Sequence, residues 1–443
     1  MNEKYRDLRQ RYPEFEYQAY HHQWTEKGLC VWFDFRMGEV EFHPESLIDD
    51  RSFLNHEVSS EILDRMVFDI GMVELVSYWK CACPPNVKVL CGTLTEEDKQ
   101  FWLKLYWNGL GEFYYTNGIL ESTEAFMHIE GKEDMKKPLP TLQLPLSAHY
   151  LVPIGGGKDS VVTLELLRRA GKAIRPLIMN PRGATVECTR VAGFPLDEVL
   201  VIRRKIDHTL LDLNAKGYLN GHTPFSAMLA FYTRLASVLT GIPNVALSNE
   251  SSANESTVLG TSVNHQYSKS LEFEDDFRAY CPGFNYFSFL RPLSELQIAM
   301  LFSQFVDYHD VFRSCNVGSK QDIWCGHCAK CLFAYIILSP FIAPARLNRI
   351  FGKSMLDDLS LQHEFDQLTG QAETKPFECV GTVNEVLAAL SMAKRRWYKE
   401  GCPALLKKHD ADSSPVKLNA LLPIGNLSEE ECNIIKQCLE KFS

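Results

Sequence analysis

The pattern of apolar and polar residues predicts mixed elements in the first third of the chain. Apolar residues alternate with polar ones over 31–35, as in a half-buried strand, and recur at helical spacing over 61–80. A further strand followed by a helix is predicted within 88–115. The segment 136–145 contains three prolines and is typical of a linker. We therefore expect an α+β domain over residues 1–145 and assign it as a candidate substrate-binding domain.

From residue 149 onward the signals for strands and helices alternate. Strands are predicted at 150–154, 173–180, 198–204 and 244–250. A helix is predicted over 223–241, with Pro224 in its first turn and Gly241 at its end. This alternation favours an α/β domain with a parallel sheet covered by helices, in which ligands bind at the carboxyl ends of the strands. We expect this domain to occupy residues 146–345 and a mostly helical region to occupy 346–443.

Composition places the chain among globular proteins, since 45% of its 443 residues are hydrophobic and 23% are charged. Its net charge of −10 argues against a nucleic-acid-binding surface. The first residues do not resemble an export signal, and the longest apolar run, 332–345, is too short to span a bilayer. We therefore interpret the 14 cysteines as mostly reduced thiols and expect a cytoplasmic protein with no membrane or nucleic-acid partner.

The most informative segment follows the predicted strand 150–154. It reads Gly155, Gly156, Gly157, Lys158, Asp159 and Ser160, and we call it the phosphate loop. Glycines let the backbone approach an anion closely, and the first N–H groups of the following helix have no partner within that helix. Lys158 adds a positive charge, and Asp159 offers the oxygen ligand that Mg²⁺ prefers. An ordinary strand-to-helix turn has a similar outline, but the order of these residues favours nucleotide binding.

A second candidate site is formed by four cysteines between residues 315 and 331. Cys325, Cys328 and Cys331 form two overlapping C-x2-C units, and Cys315 lies ten residues before them. Four thiolates at such spacing are typical of a tetrahedral zinc site, which would be structural because no coordination position remains open. The same spacing also fits an iron–sulfur cluster, and four free thiols are the third alternative. His327 lies inside the cluster as a reserve ligand.

The third candidate is the polar segment 249–280, which follows the predicted strand 244–250. Loops at strand ends often carry function. Glu250 and Glu255 are candidates for binding Mg²⁺ or for accepting a proton, and His265 and Lys269 for holding an anion or acting as a base. The segment also fits a solvated loop, so the roles of these four residues stay open.

The phosphate loop resembles the PP-loop of the ATP pyrophosphatase superfamily, whose pattern is Ser-Gly-Gly-x-Asp-Ser. Here Gly155 replaces the first serine, so one hydroxyl group is missing. The Arg-Pro-Leu sequence at 291–293, before a predicted helix, is similar to another segment of that superfamily. The resemblance implies cleavage of ATP to AMP and pyrophosphate with activation of a substrate oxygen. The spacing of a Walker P-loop is absent.

The chain also resembles the MurL family, whose members are UDP-N-acetyl-muramoyl-L-alanyl-L-glutamate epimerases of peptidoglycan synthesis. The similar stretches are 33–44, 71–85, 109–119, 153–160, 248–256, 263–274, 324–331 and 375–383. This resemblance implies an isomerase that needs ATP and Mg²⁺ and inverts the terminal L-glutamate of UDP-MurNAc-L-Ala-L-Glu. Adenylation of the free carboxylate would remove its negative charge and make the neighbouring α-proton easier to abstract.

Other functions fit parts of the sequence. The cysteine cluster is similar to that of the PP-loop enzyme 7-cyano-7-deazaguanine synthase, which points to a nucleobase or tRNA as the substrate. A non-catalytic nucleotide-binding protein and an amide-forming synthetase are further alternatives. The acidic net charge argues against tRNA, and no glutaminase motif accompanies the phosphate loop.

Overall fold

The computed structural model describes residues 2–132, 144, 148–254, 267–399, 401–407 and 417–442. The helices are α1 (Glu3–Arg11), α2 (Ser60–Trp79), α3 (Glu96–Gly109), α4 (Gly111–Thr116), α5 (Thr123–Phe126), α6 (Lys158–Arg169), α7 (Gly183–Val191), α8 (His208–Ala215), α9 (Phe225–Thr240), α10 (Leu271–Tyr280), α11 (Glu295–Ser303), α12 (Ala329–Leu338), α13 (Pro344–Phe351), α14 (Gln362–Leu368), α15 (Val383–Trp397), α16 (Ala404–Lys407) and α17 (Glu429–Phe442). The strands are β1 (Glu14–Thr25), β2 (Gly28–Met37), β3 (Val40–Phe42), β4 (Glu45–Asp49), β5 (Asn86–Thr93), β6 (His128–Lys132), β7 (His149–Pro153), β8 (Ala173–Met179), β9 (Leu200–Lys205), β10 (Asn244–Leu247) and β11 (Asn285–Ser288).

The chain packs into two compact units, each built from separate stretches of sequence. The first contains residues 1–147, 200–245 and 263–285, and the second contains 148–199, 246–262 and 286–443. One division, between residues 147 and 148, lies close to the predicted boundary at 145. Because these units are defined by packing alone, the predicted division into domains at 145 and 345 stays a prediction.

The first unit is built on a mixed sheet with the strand order β9-β4-β2-β1-β5-β6, and β3 also pairs with β2. The β1–β2, β2–β4 and β4–β9 pairs are antiparallel, whereas β1–β5 and β5–β6 are parallel. Alternate residues of β1 and β2 bury aromatic side chains, among them Phe15, Tyr17, Phe33 and Phe35. Helix α2 packs against β1 and α9, and most of its residues are buried. The alternation of strands and helices predicted that the strand at 198–204 belongs to a parallel sheet. It did not predict that this strand, β9, pairs with β4 in antiparallel orientation.

The second unit contains the predicted phosphate loop and the cysteine cluster. Its strands β7 and β8 are parallel neighbours in register, and β10 lies on the other side of β7, followed by β11. Helices α6 and α7 and the helices from α11 to α17 complete the unit. The helix and strand positions confirm the prediction of a mixed α/β fold. Within the described ranges, we find no helix long and apolar enough to cross a bilayer.

Candidate functional site

The phosphate loop lies where β7 ends and α6 begins. The amide of Ile154 donates to the carbonyl of Leu177 in β8 at 2.8 Å, which extends the strand pairing up to the loop. Gly156 has a φ of +80°, and a Cβ there would lie 3.0 Å from the Ala184 backbone. A Cβ on Gly155, by contrast, would meet nothing within 4 Å. The loop is therefore tightly packed at Gly156 and open beside Gly155.

The carbonyl groups of the loop are tied to neighbouring segments, while the start of α6 is not capped by a side chain. The guanidinium of Arg182 donates to the carbonyl of Gly155 at 2.9 Å. The backbone amide of Arg313 donates to the carbonyl of Gly156 at 2.8 Å. Gly157 is the N-cap residue of α6, and no side chain caps this helix. The Ser160 hydroxyl donates to the carbonyl of Gly157 at 3.0 Å. A helix start arranged in this way can hold an anion on its first N–H groups.

Lys158 is the buried cation of the site and contacts two carboxylates. Its Nζ lies 2.5 Å from Asp159 Oδ1 and also contacts Glu295 Oε2. The side chains of Lys158 and Glu295 are only 7% and 3% exposed, whereas that of Asp159 is 29% exposed. Although burial lowers the pKa of Lys158, the two carboxylates raise it above its ordinary value. Lys158 therefore stays charged at neutral pH.

Glu295 is the first residue of α11 and the most deeply buried acid of this group. Burial raises its pKa above the ordinary value; the charge of Lys158 opposes this effect, and the charges of Asp159 and Glu250 add to it. Its backbone amide donates to Glu385 Oε1 at 2.7 Å. The other oxygen of Glu385 accepts from the Thr382 amide at 2.8 Å, within the capping box of α15. Glu385 thus joins the starts of α15 and α11 at Glu295, the residue that contacts Lys158.

Glu250 follows β10 and is 3% exposed. Its carbonyl accepts from the guanidinium of Arg291 at 2.9 Å, and the same guanidinium donates to Ser288 at 3.0 Å. Arg291 belongs to the Arg-Pro-Leu segment, so this segment holds the backbone at Glu250, just after β10, by a hydrogen bond. Of the predicted site residues, Lys158 therefore contacts both Asp159 and Glu295, and Glu250 is near enough for its charge to raise the pKa of Glu295.

The remaining predicted catalytic residues are Glu255, His265 and Lys269. Glu255 and His265 lie outside the described residues. Lys269 is half-buried at the end of a short 3₁₀ helix, Tyr267–Lys269, and belongs to the first compact unit.

Sequence reasoning missed Glu295 and Glu385, although each has a local signal. Ser294 and Gln297 form a capping box that marks the start of α11, and Glu295 is an acid at the start of a mostly apolar, buried helix. An acid in such a place needs a partner. Glu385 stands at the N3 position of its own capping box. The sequence does not show that Glu295 meets Lys158, 137 residues away, or that Glu385 meets Glu295, 90 residues away.

The four cysteines predicted to bind a metal lie together. All four Sγ atoms are within 4.8 Å of one another. The Cys315–Cys328, Cys325–Cys331 and Cys328–Cys331 pairs are separated by 3.9, 3.7 and 3.5 Å. The amide of Gly318 donates to the sulfur of Cys315 at 3.1 Å. The Nδ1 atom of His327, which was predicted as a reserve ligand, forms a hydrogen bond with the carbonyl of Cys325 at 3.0 Å. None of the 14 cysteines forms a disulfide.

Comparison with known proteins identifies the family. The family model for the MurL N-terminal domain matches residues 6–289, and the model for the MurL C-terminal domain matches residues 311–419.

Three relatives bear the name UDP-N-acetyl-alpha-D-muramoyl-L-alanyl-L-glutamate epimerase. The protein of Xanthomonas oryzae pv. oryzae (strain MAFF 311018) is 36% identical over 360 residues, which cover 78% of each chain. That of Salinispora tropica (strain ATCC BAA-916) is 37% identical over 74% of this chain and 73% of its own. That of Micromonospora sp. (strain ATCC 39149) is 38% identical over 79% of each chain. These matches confirm the predicted resemblance and the prediction of an isomerase-type enzyme: the chain belongs to the MurL family.

Proposed function

We propose that this enzyme inverts the Cα of the terminal L-glutamate of UDP-MurNAc-L-Ala-L-Glu, with ATP and Mg²⁺ and with release of AMP and pyrophosphate. The names of the three relatives support the substrate and the inversion. The observation that supports nucleotide chemistry is the phosphate loop, where buried Lys158 lies beside an uncapped helix start. The parallel β7–β8 pair and the Arg-Pro-Leu segment before α11 support its assignment to the PP-loop superfamily.

The residues of the site fit a nucleotide and a magnesium ion. The open space beside Gly155 leaves room for a phosphate group, and Lys158 supplies positive charge next to it. Asp159 and Glu250 offer the oxygen ligands that would hold Mg²⁺, and both are close enough to raise the pKa of Glu295. ATP would supply an adenylyl group to the glutamate carboxylate with release of pyrophosphate, which removes the negative charge of that carboxylate, and hydrolysis by water would later release AMP.

The protein's own residues have two further tasks in this proposal. One is to hold Lys158, which Glu295 does through a buried ion pair, so we assign Glu295 as a positioning residue. The other is to remove the α-proton and to return a proton on the opposite face. Glu250, Glu255, His265 and Lys269 stay our candidates for this task or for metal binding. A UDP-linked substrate and 14 thiols without a disulfide fit the cytoplasm.

The proposal is tested by incubating the full chain with UDP-MurNAc-L-Ala-L-Glu, ATP and Mg²⁺ in deuterated water. We expect D-glutamate after hydrolysis of the product, deuterium at Cα, and AMP. Unchanged, unlabelled glutamate would refute the inversion, and inversion at full rate without ATP would refute the nucleotide step. ATP consumption only in the presence of tRNA would favour the tRNA alternative. Binding of ATP without formation of AMP would favour a non-catalytic protein.

Two isosteric variants separate the roles of the carboxylates. Asp159→Asn should abolish AMP formation with the fold intact, because a neutral amide cannot replace a magnesium-binding carboxylate. Glu295→Gln should lower kcat for AMP formation about 10- to 100-fold, because Lys158 loses one of the two carboxyl groups that hold it in place. The thermal midpoint should stay unchanged in Asp159→Asn, and the KM for the muramoyl peptide should stay unchanged in Glu295→Gln. Glu187→Gln, on the half-exposed face of α7, is the matched control.

A further inference from the structure

The spacing of the four sulfur atoms is that of a single tetrahedral metal ion. A Zn–S bond of about 2.3 Å in a regular tetrahedron places the sulfur atoms about 3.8 Å apart. The Cys315–Cys328, Cys325–Cys331 and Cys328–Cys331 sulfur separations, 3.9, 3.7 and 3.5 Å, lie around this value. In a cluster with several irons the cysteines bind different iron atoms, which holds their sulfurs further apart. The geometry therefore favours one ion over a multi-iron cluster.

We propose that Cys315, Cys325, Cys328 and Cys331 bind one Zn²⁺ and that this ion holds the phosphate loop and the segment 377–381 in place. We call residues 313–331, which contain all four cysteines, the metal loop. The Gly318 amide that donates to Cys315 is the kind of outer partner that stabilises a zinc-bound thiolate. Four thiolates leave no open position, so the ion is structural. Its link to nucleotide binding rests on the function proposed above.

The metal loop contacts the phosphate loop directly. The amide of Arg313 donates to the carbonyl of Gly156 at 2.8 Å, two residues before the first cysteine. A Cβ on Gly157 would lie 3.2 Å from the Cβ of Ser314. Asp322, further along the metal loop, accepts from the Ala184 amide at 2.9 Å, at the start of α7. A movement of the metal loop would therefore change the positions of Gly156 and Gly157, which it contacts.

The metal loop also forms two hydrogen bonds with the segment 377–381. The side chain of Asn316 donates to Glu378 Oε2 at 2.5 Å, next to Cys315. The Nζ of Lys330, next to Cys331, donates to the carbonyl of Cys379. The far end of this segment lies against the site, because a Cβ on Gly381 would meet Glu385 at 2.9 Å and Glu295 at 3.0 Å.

The metal loop needs such an ion because it has little structure of its own. Between residues 313 and 328 the chain forms only turns and bends, and regular structure resumes at α12, whose N-cap is Cys328. Binding of a metal by such a segment is coupled to its folding. Without the ion, we expect the metal loop to lose order together with the contacts to the phosphate loop and to Glu378 and Cys379.

The experiment begins with the metal content of the full chain, purified without added metal. We expect about one zinc per chain and no iron or sulfide. A mercurial reagent, which displaces zinc from thiolates, should release that zinc. The double variant Cys325→Ser/Cys328→Ser should retain less than about a tenth of the zinc. Its matched control, Cys402→Ser/Cys438→Ser, changes two half-buried cysteines outside the cluster and should keep the full amount.

The effect of zinc on the phosphate loop and on the segment 377–381 is measured on the wild-type chain before and after removal of zinc by a chelator. Hydrogen exchange of the amides in 153–160 and 377–381 should become faster, and binding of Mg-ATP should weaken about tenfold or more. Restoring zinc should reverse both changes. Iron with sulfide, or four free thiols without metal, would overturn the zinc site. Zinc removal without faster exchange would overturn the link. If the wild-type chain binds no Mg-ATP, the proposed function fails while the zinc and exchange results still decide this inference.

Discussion

Gly155 and Gly156 are adjacent in sequence but differ in the space around them. Gly156→Ala forces a side chain into a left-handed conformation and against the Ala184 backbone. We expect this variant to lower the free energy of unfolding by about 2 kcal/mol. Gly155→Ala meets no neighbour within 4 Å, so its stability should change by less than about 0.5 kcal/mol.

Gly155→Ala tests the proposed phosphate-binding site, although it should hardly change the stability. The added Cβ on Gly155 projects into the space that we assign to a phosphate group, so Mg-ATP should bind more weakly although the fold is unchanged. Urea unfolding and calorimetric titration with Mg-ATP measure the two effects. Unchanged Mg-ATP affinity in Gly155→Ala would argue against a phosphate at this position.

Lys80, at the end of α2 in the first unit, gives a residue-scale prediction about pH. Its buried Nζ donates to the carbonyls of Gly221 and His222 and to Thr223 Oγ1. Burial lowers its pKa from 10.5 to about 8. Between these pH values the unfolded chain binds more protons than the folded chain, so this group makes the free energy of unfolding rise with pH.

The comparison with Lys80→Met isolates this contribution. From pH 8 to 10.5 the wild-type chain should gain about 2–3 kcal/mol relative to the variant, measured by urea unfolding at each pH. Lys27→Met, at an exposed position in the turn between β1 and β2, should show no such trend. A difference that does not change with pH would mean that Lys80 keeps its ordinary pKa.

At the scale of elements, Glu385 connects α15 with α11. Thr382→Ala removes only the N-cap of α15 and should lower the free energy of unfolding by about 1 kcal/mol. Glu385→Ala also leaves the buried amide of Glu295 without its acceptor, which should raise the loss to about 2–3 kcal/mol. Urea unfolding of the two variants and of the double variant gives the comparison. Equal losses in the two single variants would show that the bond to Glu295 adds nothing.

The elements themselves followed well from local patterns. The predicted helix at 61–80 and the predicted strand at 173–180 agree with α2 and β8. The helix predicted over 223–241 is α9, although Pro224 is its N-cap residue rather than part of its first turn. Each of these depends on apolar spacing of two or about 3.6 residues and on caps, which neighbours in sequence determine.

At the scale of the whole molecule, the first unit is completed by residues far along the chain. Strand β4 pairs with β9, and α2 packs against α9. Two buried acids of α2 have partners in this distant segment. Glu74 pairs with Arg204, and Asp69, which also pairs with Arg65 of α2, pairs with Arg234. A fragment of residues 1–147 would leave β4 as an open sheet edge and the buried Glu74 without its arginine partner.

We therefore expect the fragment 1–147 not to fold by itself. An uncompensated buried charge and an open sheet edge each destabilise a fold strongly. Circular dichroism with urea titration should show no cooperative transition for the fragment, while the full chain gives one as the control. A cooperative transition for 1–147 would instead support an independent domain ending near residue 145.

The sequence by itself determined the elements, the phosphate loop, the four-cysteine cluster and the family, because each is encoded in residues close together in the chain. The tertiary structure decided which distant residues meet. It brought Glu295 to Lys158 across 137 positions and Glu385 to Glu295 across 90, and it placed Arg313 against Gly156. The reason is physical: backbone geometry and spacing act between neighbours, whereas a buried charge is satisfied only by partners that the folded chain carries to it.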